Sequence, residues 1–200
     1  MKKKLPRSFY TRSTLTVAKE LLGKTFVRII DGEILSGMIV ETEAYLHNDL
    51  ACHTFRGKTE RNKVMFNDGG YLYVYFTYGM HYCSNIVTNK ENIGEAVLIR
   101  AVEPITGINV MKKNRFPNDH HLKSDRHLHL ITNGPAKFAQ AFSLTKFENG
   151  IDLLGNKIFI AEGETLSSSR IVSTTRIGIN TAIEKKWRFY INGNEWISKA

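Results

Sequence analysis

Between Asp68-Gly69-Gly70 and Gly79 lie eight residues, Tyr71-Leu72-Tyr73-Val74-Tyr75-Phe76-Thr77-Tyr78, that constrain the fold more than any other part of the chain. Aromatic and β-branched side chains suit a pleated, half-buried surface, and glycines at both ends punctuate the run, so it reads as a strand. Thr77-Tyr78-Gly79-Met80 can turn the chain, and His81 to Val87 then returns as the partner strand of a hairpin. Alternation places Tyr71, Tyr73 and Tyr75 on one face, with Tyr75 nearest the tip. Four of the eight tyrosines in the protein stand in this one strand. Such a strand is most often ordinary core, and it can also present a stacking surface.

The remaining signals extend the same plan. Ser13 to Gly23 has a hydroxyl cap, apolar residues at Leu15, Ala18, Leu21 and Leu22 and a glycine stop, which predicts a short helix. Thr25 to Ile30 and Ile34 to Glu43 read as strands joined by Asp31-Gly32, a tight-hairpin dipeptide. A long, polar, basic loop runs from Leu46 to Asn67. Ala96 to Ala101 is a further strand, and Pro104 to Gly107 leads into a helix over Ile108 to Lys113. Asn114 to Leu130 reads as a flexible surface loop. Gly134-Pro135 opens a helix that ends near Phe142, with proline where its missing N–H does least harm. Lys157 to Ala161, Arg170 to Ile179 and Arg188 to Ile191 are strand-like. With no repeat or linker, the expectation is one α+β domain over residues 1–200: a curved, mainly antiparallel β-sheet surrounded by a few α-helices, with a protruding β-hairpin and a flexible basic tail at 1–7.

Charge narrows the partner. Lysine and arginine number 28 against 19 aspartate and glutamate, a net +9. The excess is clustered in Lys2-Lys3-Lys4, Arg56 to Lys63, Lys112-Lys113 with Arg115, and Lys185-Lys186 with Arg188, a distribution that favours an anionic partner. Together with the aromatic strand, it points to nucleic acid. The basic start is not followed by an apolar run, so it does not read as a signal peptide, and no stretch is long and apolar enough to span a bilayer. Cys52 and Cys83 are too few for a disulfide framework and fit a reducing cytoplasm. The expected location is cytoplasmic or nucleoid-associated, or nuclear in a eukaryote.

Glu41-Thr42-Glu43-Ala44-Tyr45 ends a strand whose alternation puts Glu41, Glu43 and Tyr45 on one face, two carboxylates beside a ring. His53 follows a short loop later. His47, Cys52, His53, His81 and Cys83, with His120-His121, His127 and His129, are the candidate metal ligands, but none has a strong ligand spacing, and no metal is expected. Walker, dinucleotide and serine-hydrolase motifs are absent.

Taken in order, VETEAY (Val40 to Tyr45), RGKTERN (Arg56 to Asn62), YLYVYFTYGMHYCSN (Tyr71 to Asn85), LIRAVEP (Leu98 to Pro104), NGPAKFAQA (Asn133 to Ala141), RIGI (Arg176 to Ile179) and RFY with the later Trp196 closely resemble the alkyladenine family of 3-methyladenine DNA glycosylases. The resemblance covers nearly the whole chain. It implies a monofunctional enzyme that flips damaged purines out of double-stranded DNA and hydrolyses the N-glycosidic bond with water, without metal or organic cofactor. It implies Glu43 as catalytic base, with Arg100 beside it favouring the ionised carboxylate and helping to hold the water; Glu41 is the alternative base. Tyr45 and His53 would wall one side of the base pocket and Tyr75 the other, while Asn85 would crowd the amino group of guanine. Tyr71 and Tyr73 are left to packing or surface roles. Tyr78 matches the residue that fills the vacated gap and Met80 a neighbouring groove contact; Arg61, Lys137 and Lys146 match positions that meet the DNA backbone. Asn180 to Lys186 departs from the family pattern, which is expected to affect local backbone contacts only. A monomer without an obligate protein partner or membrane association suffices. The rival classes are a non-catalytic nucleic-acid-binding module built on the tyrosine strand and a glycosylase with lysine-based lyase activity.

Overall fold

Asp31 and Gly32 both take left-handed backbone conformations, φ 49° and 82°, the pair of positive values a two-residue hairpin needs. The computed structural model describes residues 3–117 and 125–198. Its strands are β1 (Thr25–Ile30), β2 (Glu33–Tyr45), β3 (Leu72–Thr77), β4 (His81–Thr88), β5 (Glu95–Thr106), β6 (Ile158–Ala161), β7 (Ile171–Thr174) and β8 (Arg188–Ile191). They join in one curled antiparallel sheet in the order β3-β4-β5-β2-β1-β6, from which β8 and β7 branch at β2. β2 makes the branch possible. Its first half pairs with β1, up to Met38 opposite Thr25, and Glu41 to Glu43 then pair with β8 after β1 has ended.

Four helices complete the described part: α1 (Arg7–Tyr10), α2 (Thr14–Glu20), α3 (Ile108–Arg115) and α4 (Pro135–Ala141). α4 seals the core against β1, where Phe26 meets Phe138 and Phe142 edge to face at 5.0 and 5.3 Å between ring centroids. Each such ring contributes roughly 1.5–3 kcal/mol when fully buried. Thr42 Oγ1 donates to the Ala18 carbonyl at 2.8 Å and ties α2 to β2.

Strand alternation divides the tyrosine strand as its sequence predicts. Leu72 and Val74 join the main core, while Tyr73 sits with Cys52, Met65, Val87 and Ala96 in a second cluster on the opposite face. The long loop after β2, which contains a short 3-10 turn at Lys63–Phe66, supplies Cys52 and Met65 to that cluster. The fold is therefore the single α+β domain expected, with the β3–β4 hairpin projecting at one end.

Some boundaries differ for physical reasons. β5 continues beyond Ala101 because a register shift near Gly37 accommodates Pro104 opposite β2. Asn114 and Arg115 belong to α3 rather than to a loop, with Asn114 Nδ2 donating to the Ala141 carbonyl at 2.9 Å. Asp125–Ile131 forms a 3-10 segment; residues 118–124, with His120 and His121, and the side chain of His127 lie outside the described residues. Arg170 to Ile179 keeps only Ile171–Thr174 as strand. Within the stretch expected as a basic tail, Leu5 is buried, and Arg7 pairs with Asp152 at 2.6 Å and donates to the Gly69 carbonyl at 2.8 Å. Gly69 is needed there, since a Cβ would stand 2.5 Å from the Tyr10 carbonyl oxygen. Both cysteines are free and buried. Among the described residues, no helix is long and apolar enough to cross a membrane.

Candidate active site

The second cluster opens into a cavity of about 390 Å3 between the tyrosine strand, the end of β2, β5 and the segment 177–181. Tyr45, His53, Arg61, Tyr75, Tyr78, Asn85 and Arg100 all line it, so the fold gathers most of the expected site residues at one place. Among the described residues, no lysine lines it and no three His, Cys, Asp or Glu side chains form a metal-ligand group.

Glu41, Glu43 and Tyr45 share one face of β2, as alternation requires, and two compensating register shifts surround Glu41 in its pairing with β5. Glu41 lies opposite Ala101 and Thr42 opposite Ile99, which leaves Arg100 as the extra residue of a bulge. A bulge re-aims its side chain. Arg100 Nε donates to Glu41 Oε1 at 2.9 Å, and its Nη1 stands 3.1 Å from Glu43 Oε1. Burial opposes the charge on Arg100, but Glu43 and Glu41 outweigh it and raise its pKa above the ordinary arginine value.

The two carboxylates, both fully buried, differ in what their oxygens already accept. Glu41 Oε1 takes bonds from Arg100 Nε, Arg188 Nε and Ser198 Oγ at 2.9, 2.7 and 2.8 Å, and Oε2 takes the Ser198 N–H at 2.6 Å. A carboxylate offers about four lone-pair sites, two on each oxygen, so Glu41 Oε1 is filled while its Oε2 carries one bond. Glu43 accepts the Ile177 N–H on Oε1 and the Tyr45 hydroxyl on Oε2, both at 2.8 Å. With the Arg100 contact at Oε1, its Oε2 carries, among the described residues, only the Tyr45 bond and so has room for one more donor. Glu43 does not itself line the cavity; Tyr45, Arg100 and Ile177, which touch it, do.

The base-pocket candidates form a connected group. His53 Nδ1 lies 3.0 Å from the Tyr73 hydroxyl, and its ring meets Tyr75 edge to face at 4.5 Å. Tyr73 and Tyr75 stack with centroids 5.6 Å apart. Burial, reinforced by Arg61, lowers the His53 pKa and favours the neutral ring. Burial pushes the Tyr73 hydroxyl up to about 12, and it raises Tyr45 and Tyr75 further, so all three phenols serve as neutral groups. Asn85 Nδ2 is held by the Tyr73 carbonyl at 3.3 Å.

The DNA-facing candidates separate by position. Tyr78 and Gly79, with φ 51° and 67°, form the tip of the β3–β4 hairpin, where Tyr78 is 80% and Met80 69% exposed. A non-glycine residue in the left-handed region costs about 1–2 kcal/mol, and Tyr78 recovers little of that by packing. Arg61 Nη2 donates to the Phe76 carbonyl at 3.2 Å beside the cavity. Lys137 and Lys146 do not line it, although Pro135, which opens the helix carrying Lys137, does. Lys137 Nζ donates to Asn133 Oδ1 at 2.7 Å, and burial and Arg115 lower its pKa. Lys146 begins a capped 3-10 turn with Nζ 5.4 Å from the centre of the Phe147 ring.

Several lining residues escaped the sequence reading. Tyr73 combines its expected packing with a place in the cavity wall, a dual role that its alternation with Tyr75 could have signalled. The RIGI run turns inward: Arg176 is buried against Asp49, donates to the Ala44 carbonyl at 3.0 Å and places its guanidinium 4.6 Å from the centre of the Tyr45 ring. Ile177 then gives its N–H to Glu43 instead of extending β7, and Gly178 adopts φ 77°. Asn180 and Thr181 also line the cavity. The departure from the family pattern therefore reaches the pocket, a correction to the expectation that it affects only local backbone contacts.

An antiparallel scaffold of this kind, with a buried glutamate–arginine pair behind an aromatic cavity and a tyrosine-tipped hairpin, carries a family signature over residues 8–195. Those residues match methylpurine-DNA glycosylase (MPG), and the chain belongs to that family. It is accordingly a DNA glycosylase of the methylpurine type, a hydrolase of N-glycosyl bonds whose substrate is DNA. Among its relatives, a protein of Carboxydothermus hydrogenoformans named "Putative 3-methyladenine DNA glycosylase" is 51% identical over 196 residues, covering 98% of each chain. Proteins of the same name from Alkaliphilus oremlandii and Desulfitobacterium hafniense are each 46% identical over 201 residues, with 98% of this chain covered and 99% and 98% of theirs.

Proposed function

We propose that the cavity receives one damaged purine rotated out of duplex DNA and that Glu43 acts as general base in hydrolysing its N-glycosidic bond. The observation that carries this reading is the different setting of the two carboxylates relative to the cavity. Besides Arg100, Glu41 is held by Arg188 and Ser198, which do not line the cavity, whereas the partners of Glu43, namely Tyr45, Ile177 and Arg100, all line it. A water held there gives its proton to Glu43 as its oxygen attacks the anomeric carbon. The glycosidic electron pair leaves with the purine nitrogen, the Glu43 carboxylate stabilises the developing positive charge of the oxocarbenium-like sugar, and Arg100 holds Glu43 in place.

A cavity of about 390 Å3 suits a single base and not a duplex, so the base must leave the stack. Neutral aromatic rings favour stacked purines, with an added cation–π term for alkylated, positively charged ones such as 3-methyladenine. Neutral hypoxanthine is a second substrate in this reading. A base sandwiched between two rings needs roughly 7 Å between them. His53 and Tyr75, at 4.5 Å and edge to face, therefore act together as one wall, with Tyr45 assigned to the other. Asn85 excludes the guanine amino group.

Tyr78 fills the gap in the duplex, Met80 lies in the groove, and Arg61, Lys137 and Lys146 meet phosphates. All these groups come from one chain, so a monomer suffices, and the chemistry needs no cofactor. Among the described residues no lysine lines the cavity, which supports water over a lysine nucleophile. The deciding experiment is Glu43→Gln, measured for hypoxanthine release and for binding to a defined duplex. Release should vanish while binding persists; release at the wild-type rate would remove Glu43 from the role of base.

A further inference from the structure

We infer that Ser198, working with Glu41, is a positioning residue that latches Arg100 from behind and sets how much of its guanidinium Glu43 receives. This inference rests on the reading of Glu43 as the base. Ser198 lies 157 residues from Glu41 in sequence, yet its backbone N–H donates to Glu41 Oε2 at 2.6 Å and its Oγ donates to Glu41 Oε1 at 2.8 Å. The same Oγ accepts from Arg100 Nη2 at 3.2 Å. Glu41 also holds Arg100 Nε at 2.9 Å. The guanidinium is therefore fixed at Nε and Nη2, and only Nη1, 3.1 Å from Glu43 Oε1, is aimed at the base. A planar guanidinium free to rotate would satisfy a carboxylate with two parallel bonds. The latch prevents that and keeps the Glu43 contact single-armed, leaving Oε2 open for water.

The approach of the C-terminal segment supports this role. Asn194 Nδ2 donates to Glu103 on β5 at 2.8 Å, its Oδ1 accepts the Trp196 N–H at 2.8 Å, and Trp196 and Ile197 pack on the main core. Ser198 is thus delivered by an anchored segment. The charged and titratable groups facing Glu43 are Arg100 on β5, Arg188 paired opposite it on β8, Glu41 and Tyr45 on β2, Tyr75 on β3 and Cys83 on β4. Replacing Ser198 by alanine alters none of these charges; it removes the hydroxyl that joins Glu41 to Arg100 and so releases the Nη2 arm of Arg100.

The test compares Ser198→Ala with Ser198→Thr in single-turnover excision of hypoxanthine across pH, alongside lesion-duplex affinity and thermal melting. Ser198→Ala frees Nη2, and the second arm of Arg100 swings to Glu43. The plateau rate should fall roughly three- to tenfold, and the acid limb should move down by about half a pH unit, with affinity and melting unchanged. Ser198→Thr, which keeps the hydroxyl, should restore both. An Ala variant with the wild-type rate and acid limb would overturn the latch, as would a rate loss that follows reduced melting with an unmoved limb. Glu43→Gln separates the premises. If that variant is inactive while Ser198→Ala is indifferent, only the latch fails; if it excises at the wild-type rate, the base assignment fails and the latch with it.

Discussion

Replacing Tyr78 by glycine should separate folding from lesion recognition. The side chain is 80% exposed, so its packing is worth about a fifth of a fully buried aromatic, roughly 0.5 kcal/mol. Its φ of 51° costs about 1 kcal/mol that glycine avoids. Glycine, however, gives back roughly 0.5–1 kcal/mol through greater freedom in the unfolded chain. These contributions nearly cancel, and the melting temperature should stay within about 2 °C of the parent. DNA binding has no such cancellation. Extruding a base forfeits a few kcal/mol of stacking, and removing a wedge that offsets about 2 kcal/mol weakens lesion-duplex binding about 30-fold. Affinity for intact duplex, governed by phosphate contacts, should barely change. Fluorescence anisotropy with both duplexes in a Glu43→Gln background gives the two constants without turnover, and a thermal melt gives stability. An unchanged ratio of the two affinities, or a melting temperature lowered by more than about 5 °C, would refute the wedge argument.

Two further outcomes test other parts of the site. His53 is held below its ordinary pKa of 6.5 by burial and Arg61, so the unfolded chain takes up a proton that the folded chain resists as pH drops through 6.5. The stability contribution is therefore present above 6.5 and is lost towards the lower folded pKa; urea midpoints at pH 7.5 and 5.5 should fall further for wild type than for His53→Gln, and equal falls would oppose it. Lys137→Ala and Arg61→Ala should each reduce the slope of log affinity against log salt for duplex DNA by about 0.9, one phosphate apiece, and an unaltered slope would remove that residue from the backbone contacts.

Local sequence rules read much of this fold because their signals act within a few residues. Asp31-Gly32 carries the positive φ values of a tight turn, and alternation separates Leu72 and Val74 from Tyr73 on β3. Glu43 and Tyr45 lie two apart on one strand and bond directly at 2.8 Å. The strand reading fails after Thr174, where the Ile177 N–H bonds to Glu43, 134 residues earlier, instead of to a neighbouring strand. Pattern rules cannot see such a partner. Likewise, His53 and Tyr75 were expected on opposite sides of a base, but the loop after β2 brings their rings into contact.

By itself, the amino-acid sequence determined the antiparallel plan, the tyrosine-tipped hairpin and the face shared by Glu41, Glu43 and Tyr45. These follow from backbone period and turn chemistry. Its motifs also carry the family resemblance. Only the tertiary structure distinguished the two glutamates, because their hydrogen-bond partners come from distant chain segments. Arg188 and Ser198, 147 and 157 residues away, bind Glu41 away from the cavity, while the partners of Glu43, namely Tyr45, Ile177 and Arg100, line the cavity. Two carboxylates with the same local pattern thus acquire different chemistry through the donors that folding brings to them.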